Sequence, residues 1–170
     1  VYSQESIPRG PEWGDVQRLL TTVEGDQPAN IRDRAMLMLL SIYGLRAGEV
    51  RCLRLEAFDW CHERLTVPRG KTQTTHTYPL TRQVGNAVLR YLQIARPRSV
   101  HRQVFLTLRP PFRPLARGSV TGMVVRRWRR LGVELPHYGS HSLRHSCANH
   151  LLQEGLSLQE IGDHLGHKHP

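Results

Sequence analysis

Lysine is nearly absent from this sequence. Only Lys71 and Lys168 are lysines, so arginine supplies almost all of the 24 Lys and Arg residues. Acidic residues are few as well, 14 Asp and Glu against those 24, which leaves a formal charge of +10. That balance points to a polyanionic partner, because each phosphate neutralised by a basic side chain releases condensed counterions. Arginine sharpens the inference, since its planar guanidinium matches phosphate oxygens with two parallel hydrogen bonds. Cysteine is sparse too. Cys52, Cys61 and Cys147 are widely spaced with no Cys-x-x-Cys pair, which argues against a disulfide framework or a zinc–thiolate site and for reduced thiols. No apolar run approaches membrane-spanning length and the polar N-terminus is no signal peptide, so a soluble, cytoplasmic protein is expected, with no membrane partner. No nucleotide-binding loop, internal repeat or low-complexity tract is evident.

What is present suits one globular core: 170 residues at 39% hydrophobic content suffice for one well-packed domain and are short for two. Residues 1–11, with Ser3, Pro8, Gly10 and Pro11, read as a linker, and the domain is expected over 12–170. A helix starts near Glu12 with Val16, Leu19, Leu20 and Val23 on one face. Asn30 is expected to cap an apolar helix from Ile31 to Tyr43, ended by Gly44. A short helix follows from Ala47 to about Leu53, which puts Arg46 at a tight helix junction. Residues 58–80 are β-rich and read as three antiparallel strands with turns at 61–63 and 69–73. Thr81 caps a helix to about Ala95, Val104-Phe105-Leu106 is a short strand or extended segment, and Ser119–Leu131 is helical. Helices from about Ser142 to Gln153, and from the capping box Ser157-Leu158-Gln159-Glu160 to near Gly166, complete the chain. The fold class is mainly α with a small antiparallel β-sheet.

Two arginines and two histidines stand out chemically. A phosphodiester attacked in line gathers charge on its non-bridging oxygens, and fixed cationic donors stabilise that charge. Arg46 and Arg144 suit the task. His141 and Arg144 are three apart and share a face at a helix start. A lone histidine is more commonly a packed or capping imidazole, and that alternative stays open for His141. His145 forms an i, i+4 pair with His141, superficially zinc-like, but no cysteine or carboxylate completes a tetrahedral set. A structural role beside the site is expected for His145, and no metal. Glu49, three residues after Arg46, either orients a guanidinium or forms an ordinary helix pair. Arg126, Arg127, Arg129 and Arg130 form a basic run on one helix and are candidate DNA-phosphate contacts.

The motifs around these residues resemble a known family. Gly44-Leu45-Arg46-Ala47-Gly48-Glu49-Val50, Ser140-His141-Ser142-Leu143-Arg144-His145-Ser146 and Leu165-Gly166-His167 resemble the three active-site boxes of the tyrosine recombinases, the phage-integrase family. The resemblance implies catalytic roles for Arg46, Lys71, His141, Arg144 and His167. Lys71, in Gly70-Lys71-Thr72, is the implied hairpin lysine that protonates the leaving 5′ oxygen, although Thr72-Gln73-Thr74 departs from the usual glycine- and lysine-rich turn. His167 is the implied donor to the scissile phosphate, favoured over His164 and His169 by its register against Leu165-Gly166. It implies site-specific DNA recombination or integration through a 3′-phosphotyrosyl intermediate, without cofactor. Double-stranded DNA and further recombinase protomers in a synaptic tetramer are the implied partners, and the nucleoid the implied place of action.

The family's nucleophilic tyrosine is expected about nine residues beyond the last histidine, past Pro170. None of the five tyrosines in the chain matches its position. The sequence therefore reads as a catalytic domain ending before its nucleophile and lacking the family's N-terminal core-binding domain. As it stands it is expected to be inactive in covalent chemistry. Alternatives are a noncatalytic DNA-binding module, with 155–162 resembling the start of a helix-turn-helix, and a type IB topoisomerase-like enzyme.

Overall fold

The structure, a computed structural model, describes residues 10–70 and 73–166; most of the expected linker lies outside them. Helix α1 (Trp13–Thr21) buries Val16, Leu19 and Leu20, its 3.6-residue stripe, against the rest of the molecule. Helix α2 (Pro28–Ile42) is the central strut. Six consecutive residues from Ala35 to Leu40 are buried, together with Ile31 and Ser41, as expected of a helix surrounded by neighbours. It begins earlier than Asn30, because Pro28 takes the first helical position with Gln27 as N-cap. Proline's fixed φ is already helical there and its missing N–H costs nothing. Asn30 instead accepts a hydrogen bond from Arg127 Nη2 at 2.9 Å.

Gly44 ends this stretch at φ +64°, and a Cβ there would overlap the Leu165 side chain. Only glycine meets both constraints. Helix α3 (Ala47–Cys52) follows, and then strands β1 (Phe58–Asp59), β2 (Arg64–Arg69) and β3 (Thr74–Pro79) form an antiparallel sheet in the order β1-β2-β3. Leu65 lies opposite Tyr78, and Arg69 opposite Thr74. Every second residue of β2 points inward, so Leu65, Val67 and Arg69 are all buried.

Helix α4 (Arg82–Arg90) is capped by the Thr81 hydroxyl, which accepts from Val84 N at 3.3 Å. It continues into a wider turn over Tyr91–Ala95. The segment at Val104-Phe105-Leu106 is extended rather than a strand of the sheet, with isolated bridges Arg54–Gln103 and Leu106–Pro114. It is nonetheless core: all three side chains are fully buried, and Phe105 stacks on Tyr91 at 5.2 Å.

Helices α5 (Ser119–Leu131), α6 (Ser140–Gln153) and α7 (Leu158–Leu165) close the fold. Trp128 of α5 is fully buried, and its indole N–H donates to Ser142 Oγ at 3.2 Å. Ser142 Oγ in turn donates to Gly139 O at 2.7 Å, which fixes the first turn of α6 on α5. Helix α7 starts with a reciprocal capping box between Ser157 and Glu160. It packs through a small second cluster, Cys147, Ile161 and Leu165. Among the described residues no helix is long and apolar enough to cross a membrane.

Candidate active site

Helix junctions bring three of the candidate residues, Arg46, His141 and Arg144, together. Arg46 stands at the N-cap of α3 in extended backbone, and its side chain is about half exposed, at 48%. Arg144, on the second turn of α6, is only 7% exposed. Its guanidinium donates to Gly44 O and to Leu165 O, both at 2.6 Å. Arg46, His141 and Arg144 line one recess of about 270 Å³, floored by Leu45–Gly48 and bounded by Thr121 and Gly139. Burial lowers the Arg144 pKa from its ordinary value, the neighbouring Arg46 charge adds to the effect, and Glu49 opposes it. An arginine so placed remains a cation. The recess therefore offers two close, like charges that an anion between them would relieve.

Glu49 holds this arrangement from behind. Its carboxylate accepts from Arg46 N at 3.3 Å and pairs with Arg46 Nη1 at 3.6 Å. It also reaches Arg69 Nε at 3.5 Å, so it does more than form a local helix pair. His141 is exposed and opens onto both the recess and a wider neighbouring cleft of about 630 Å³. That cleft is also lined by Arg129, His137, Tyr138 and His145. His145 is exposed there rather than packed in the interior, because the buried face of α6 runs through Leu143, Arg144 and Cys147. Lys71 and His167 lie outside the described residues; Gly70 and Gly166, which precede them, both have positive φ.

The basic run on α5 divides. Arg126, Arg129 and Arg130 are exposed, and Arg129 sits over the Tyr138 ring at 5.7 Å. Arg127 corrects the expectation of a phosphate contact. It turns inward at 11% exposure, donating to Asp33 Oδ2 at 2.8 Å and to Asn30. The reason is helical phase: Val120, Val124 and Arg127 are spaced i, i+4, i+7 and share the buried stripe.

Three residues near the site were given no role by the sequence reading. Arg69 is buried and hydrogen-bonds both Leu165 O and the Tyr78 hydroxyl. Burial raises the Tyr78 pKa to about 12 while the Arg69 charge opposes the rise, and its hydroxyl donates to His164 O at 2.8 Å. His164 packs edge-on against Tyr78 at 5.3 Å. Burial pushes the His164 pKa down, and the nearby His76 reinforces it. The inward alternation of Leu65, Val67 and Arg69 was the available signal for Arg69.

Comparison with known proteins bears on this geometry. The model of the phage integrase family matches residues 13–170. The chain belongs to that family. It is 43% identical to y4rA of Sinorhizobium fredii (strain NBRC 101917 / NGR234), a protein named as an integrase/recombinase, over 99% of this chain and 41% of that protein. To y4gC of the same organism, also named as an integrase/recombinase, it is 40% identical over 92% of this chain and 82% of that one. Among solved structures, the XerA recombinase matches with a TM-score of 0.84 at 19% identity, over 99% of this chain and 58% of that chain. That likeness is one of fold. This integrase-family chain thus spans less than half of y4rA and somewhat over half of the XerA structure.

Proposed function

We propose that this chain is the catalytic portion of a site-specific DNA recombinase that cuts and rejoins strands through a 3′-phosphotyrosyl intermediate. The observation that carries the proposal is the shared recess: Arg46, His141 and Arg144, from two boxes about a hundred residues apart, open onto one phosphate-sized space. In the reaction a tyrosine oxygen forms a bond to phosphorus, the P–O5′ bond breaks, and the 5′ oxygen takes a proton. Arg46 and Arg144 neutralise charge that develops on the non-bridging oxygens. His141 and His167 donate hydrogen bonds to the same phosphate, and Lys71 protonates the leaving oxygen. The phosphotyrosyl bond conserves the energy of the phosphodiester, and a partner strand's 5′ hydroxyl reverses the step.

The nucleophile is proposed to come from outside these 170 residues. Tyr43, Tyr78 and Tyr91 are buried, with hydroxyls engaged by Pro79 O, by Arg69 and His164 O, and by Leu106 N. Tyr138 lies under Arg129, and Tyr2 is outside the described residues. Duplex DNA is the proposed partner, with exposed Arg126, Arg129 and Arg130 on its backbone and further protomers joining in a synaptic tetramer. A purely DNA-binding module is less favoured, because burying Arg144 in a recess serves local chemistry better than general attraction.

The test uses the protein with the segments that flank this chain in its gene, on a suicide substrate carrying its cognate site. A covalent adduct on a denaturing gel is expected. Arg144→Ala should reduce adduct formation by roughly 10²-fold or more, while salt-sensitive binding to nonspecific duplex changes little. Absence of any adduct from the unaltered protein would overturn the reading.

A further inference from the structure

Arg69 is a buried cation at the base of the β2–β3 hairpin, and the roles proposed above leave it unused. All three of its guanidinium nitrogens have protein partners. Nε faces Glu49 Oε2 at 3.5 Å, Nη1 donates to Leu165 O, and Nη2 donates to the Tyr78 hydroxyl. These contacts use only part of the five-donor fork, and the Nε–Glu49 contact is an ion pair without hydrogen-bond geometry. The partners of Arg69, however, are those of the two arginines in the recess. Glu49 is the carboxylate that holds Arg46. Leu165 O is the carbonyl that also receives Arg144 Nη2. The sheet, the α3 junction and the end of α7 therefore meet at one guanidinium. Gly166 shows how tightly that point is packed, since a Cβ there would overlap the Arg69 side chain.

We infer that Arg69 is a positioning residue, a clamp that sets the spacing of Arg46 and Arg144 by tying Glu49 to the Leu165 carbonyl. The inference rests on the recombinase reading above. Without the clamp, Glu49 keeps Arg46 but is no longer tethered to the end of α7. The Leu165 carbonyl then keeps only one of its two guanidinium donors. Both guanidiniums lose the fixed separation that a phosphorane-like state requires, and misplacement by about 1 Å is enough to cost about 10²-fold in rate. Overall DNA attraction changes little, because one buried cation among 24 basic residues adds little to the outer field.

Single-turnover cleavage tests this with the same flanked protein and cognate suicide substrate. One substrate has a normal scissile phosphodiester and the other a methylphosphonate, whose neutral group lacks one charged oxygen. Arg69→Gln should slow phosphodiester cleavage by roughly 10- to 100-fold with nonspecific DNA affinity within about twofold. On the methylphosphonate the deficit should shrink severalfold, because less charge awaits the arginine pair. Arg69→Lys should recover part of the phosphodiester rate. An unaltered rate for Arg69→Gln, or an equal deficit on both substrates, overturns the clamp. Should that variant fail to fold, nitrogen-resolved NMR of the unaltered chain decides: Arg69 side-chain protons exchanging as fast as those of free arginine overturn it as well. Arg144→Ala is run alongside. If the unaltered protein forms no adduct, the recombinase reading falls and takes the clamp with it. If it reacts, Arg144→Ala does not, and Arg69→Gln is unimpaired, only the clamp falls.

Discussion

Adjacent arginines on α5 have opposite fates, and each has a measurable consequence. Arg127 neutralises Asp33, which is 4% exposed and also touched by Arg32 Nε at 3.3 Å. Removing one partner of a buried pair strands the other charge, at a cost of about 3–5 kcal/mol. Because Arg32 remains, Arg127→Ala should destabilise the protein toward the lower end of that range, read as a lowered urea midpoint. Arg126→Ala, on the exposed face, should leave the unfolding free energy within about 0.5 kcal/mol of the unaltered protein. Its effect should appear in DNA affinity, with a shallower dependence on salt. A large stability loss from Arg126→Ala would show that the division of the run is misassigned.

At the level of elements, the helices were legible because their punctuation is local. Ser119–Leu131 and the Ser157–Glu160 capping box lie where the sequence expects them. The small sheet likewise follows from alternation and turn residues around 58–80. What escaped was phase and tertiary partnership. A run of arginines reads as a solvated face until its register against Val120 and Val124 is counted, and Arg69 reads as a hairpin flank until its inward parity is noticed. The roles given to Lys71 and His167 rest on family resemblance alone, and both residues lie outside the described ones. Two glycines separate local from tertiary constraint in the same way. Gly14 lies within α1 with open space around its Cα, so Gly14→Ala should raise stability by about 0.5 kcal/mol through lost unfolded-state entropy. Gly44→Ala meets both a positive φ and the Leu165 side chain. It should cost at least about 1–2 kcal/mol and slow strand cleavage, because Gly44 O is an anchor of Arg144. Equal urea midpoints for the two variants would contradict this.

The whole molecule carries a pH dependence that its interior histidines dictate. His76 and His164 both have pKa values lowered from 6.5, in each case first by burial. The unfolded chain therefore binds protons more readily than the folded one between those depressed values and 6.5. Stability is complete above that window and falls as pH drops through it. Urea midpoints should decline on acidification from pH 7 to about 5.5. His164→Phe should flatten the decline, and a midpoint that rises on acidification would contradict the assignment. The groups facing His164 include Arg69 and Arg144, so its protonation adds a third positive charge beside the two arginines that grip Leu165.

The Leu165 carbonyl, finally, makes the bracing of Arg144 a matter of populations. Beyond its hydrogen bonds to Arg69, Arg144 and Tyr78, helix α7 packs on the body through a small cluster around Cys147, Ile161 and Leu165, and small units open more often than the global core. Each opening withdraws the acceptor from Arg144 and Arg69 together and leaves Arg144 with Gly44 O alone, so the doubly anchored Arg144 exists only in the fraction of molecules with α7 seated. On the function proposed above, turnover would be the intrinsic rate multiplied by that fraction. A contact that stabilises the seated helix would, on that function, raise the rate without touching a reacting atom.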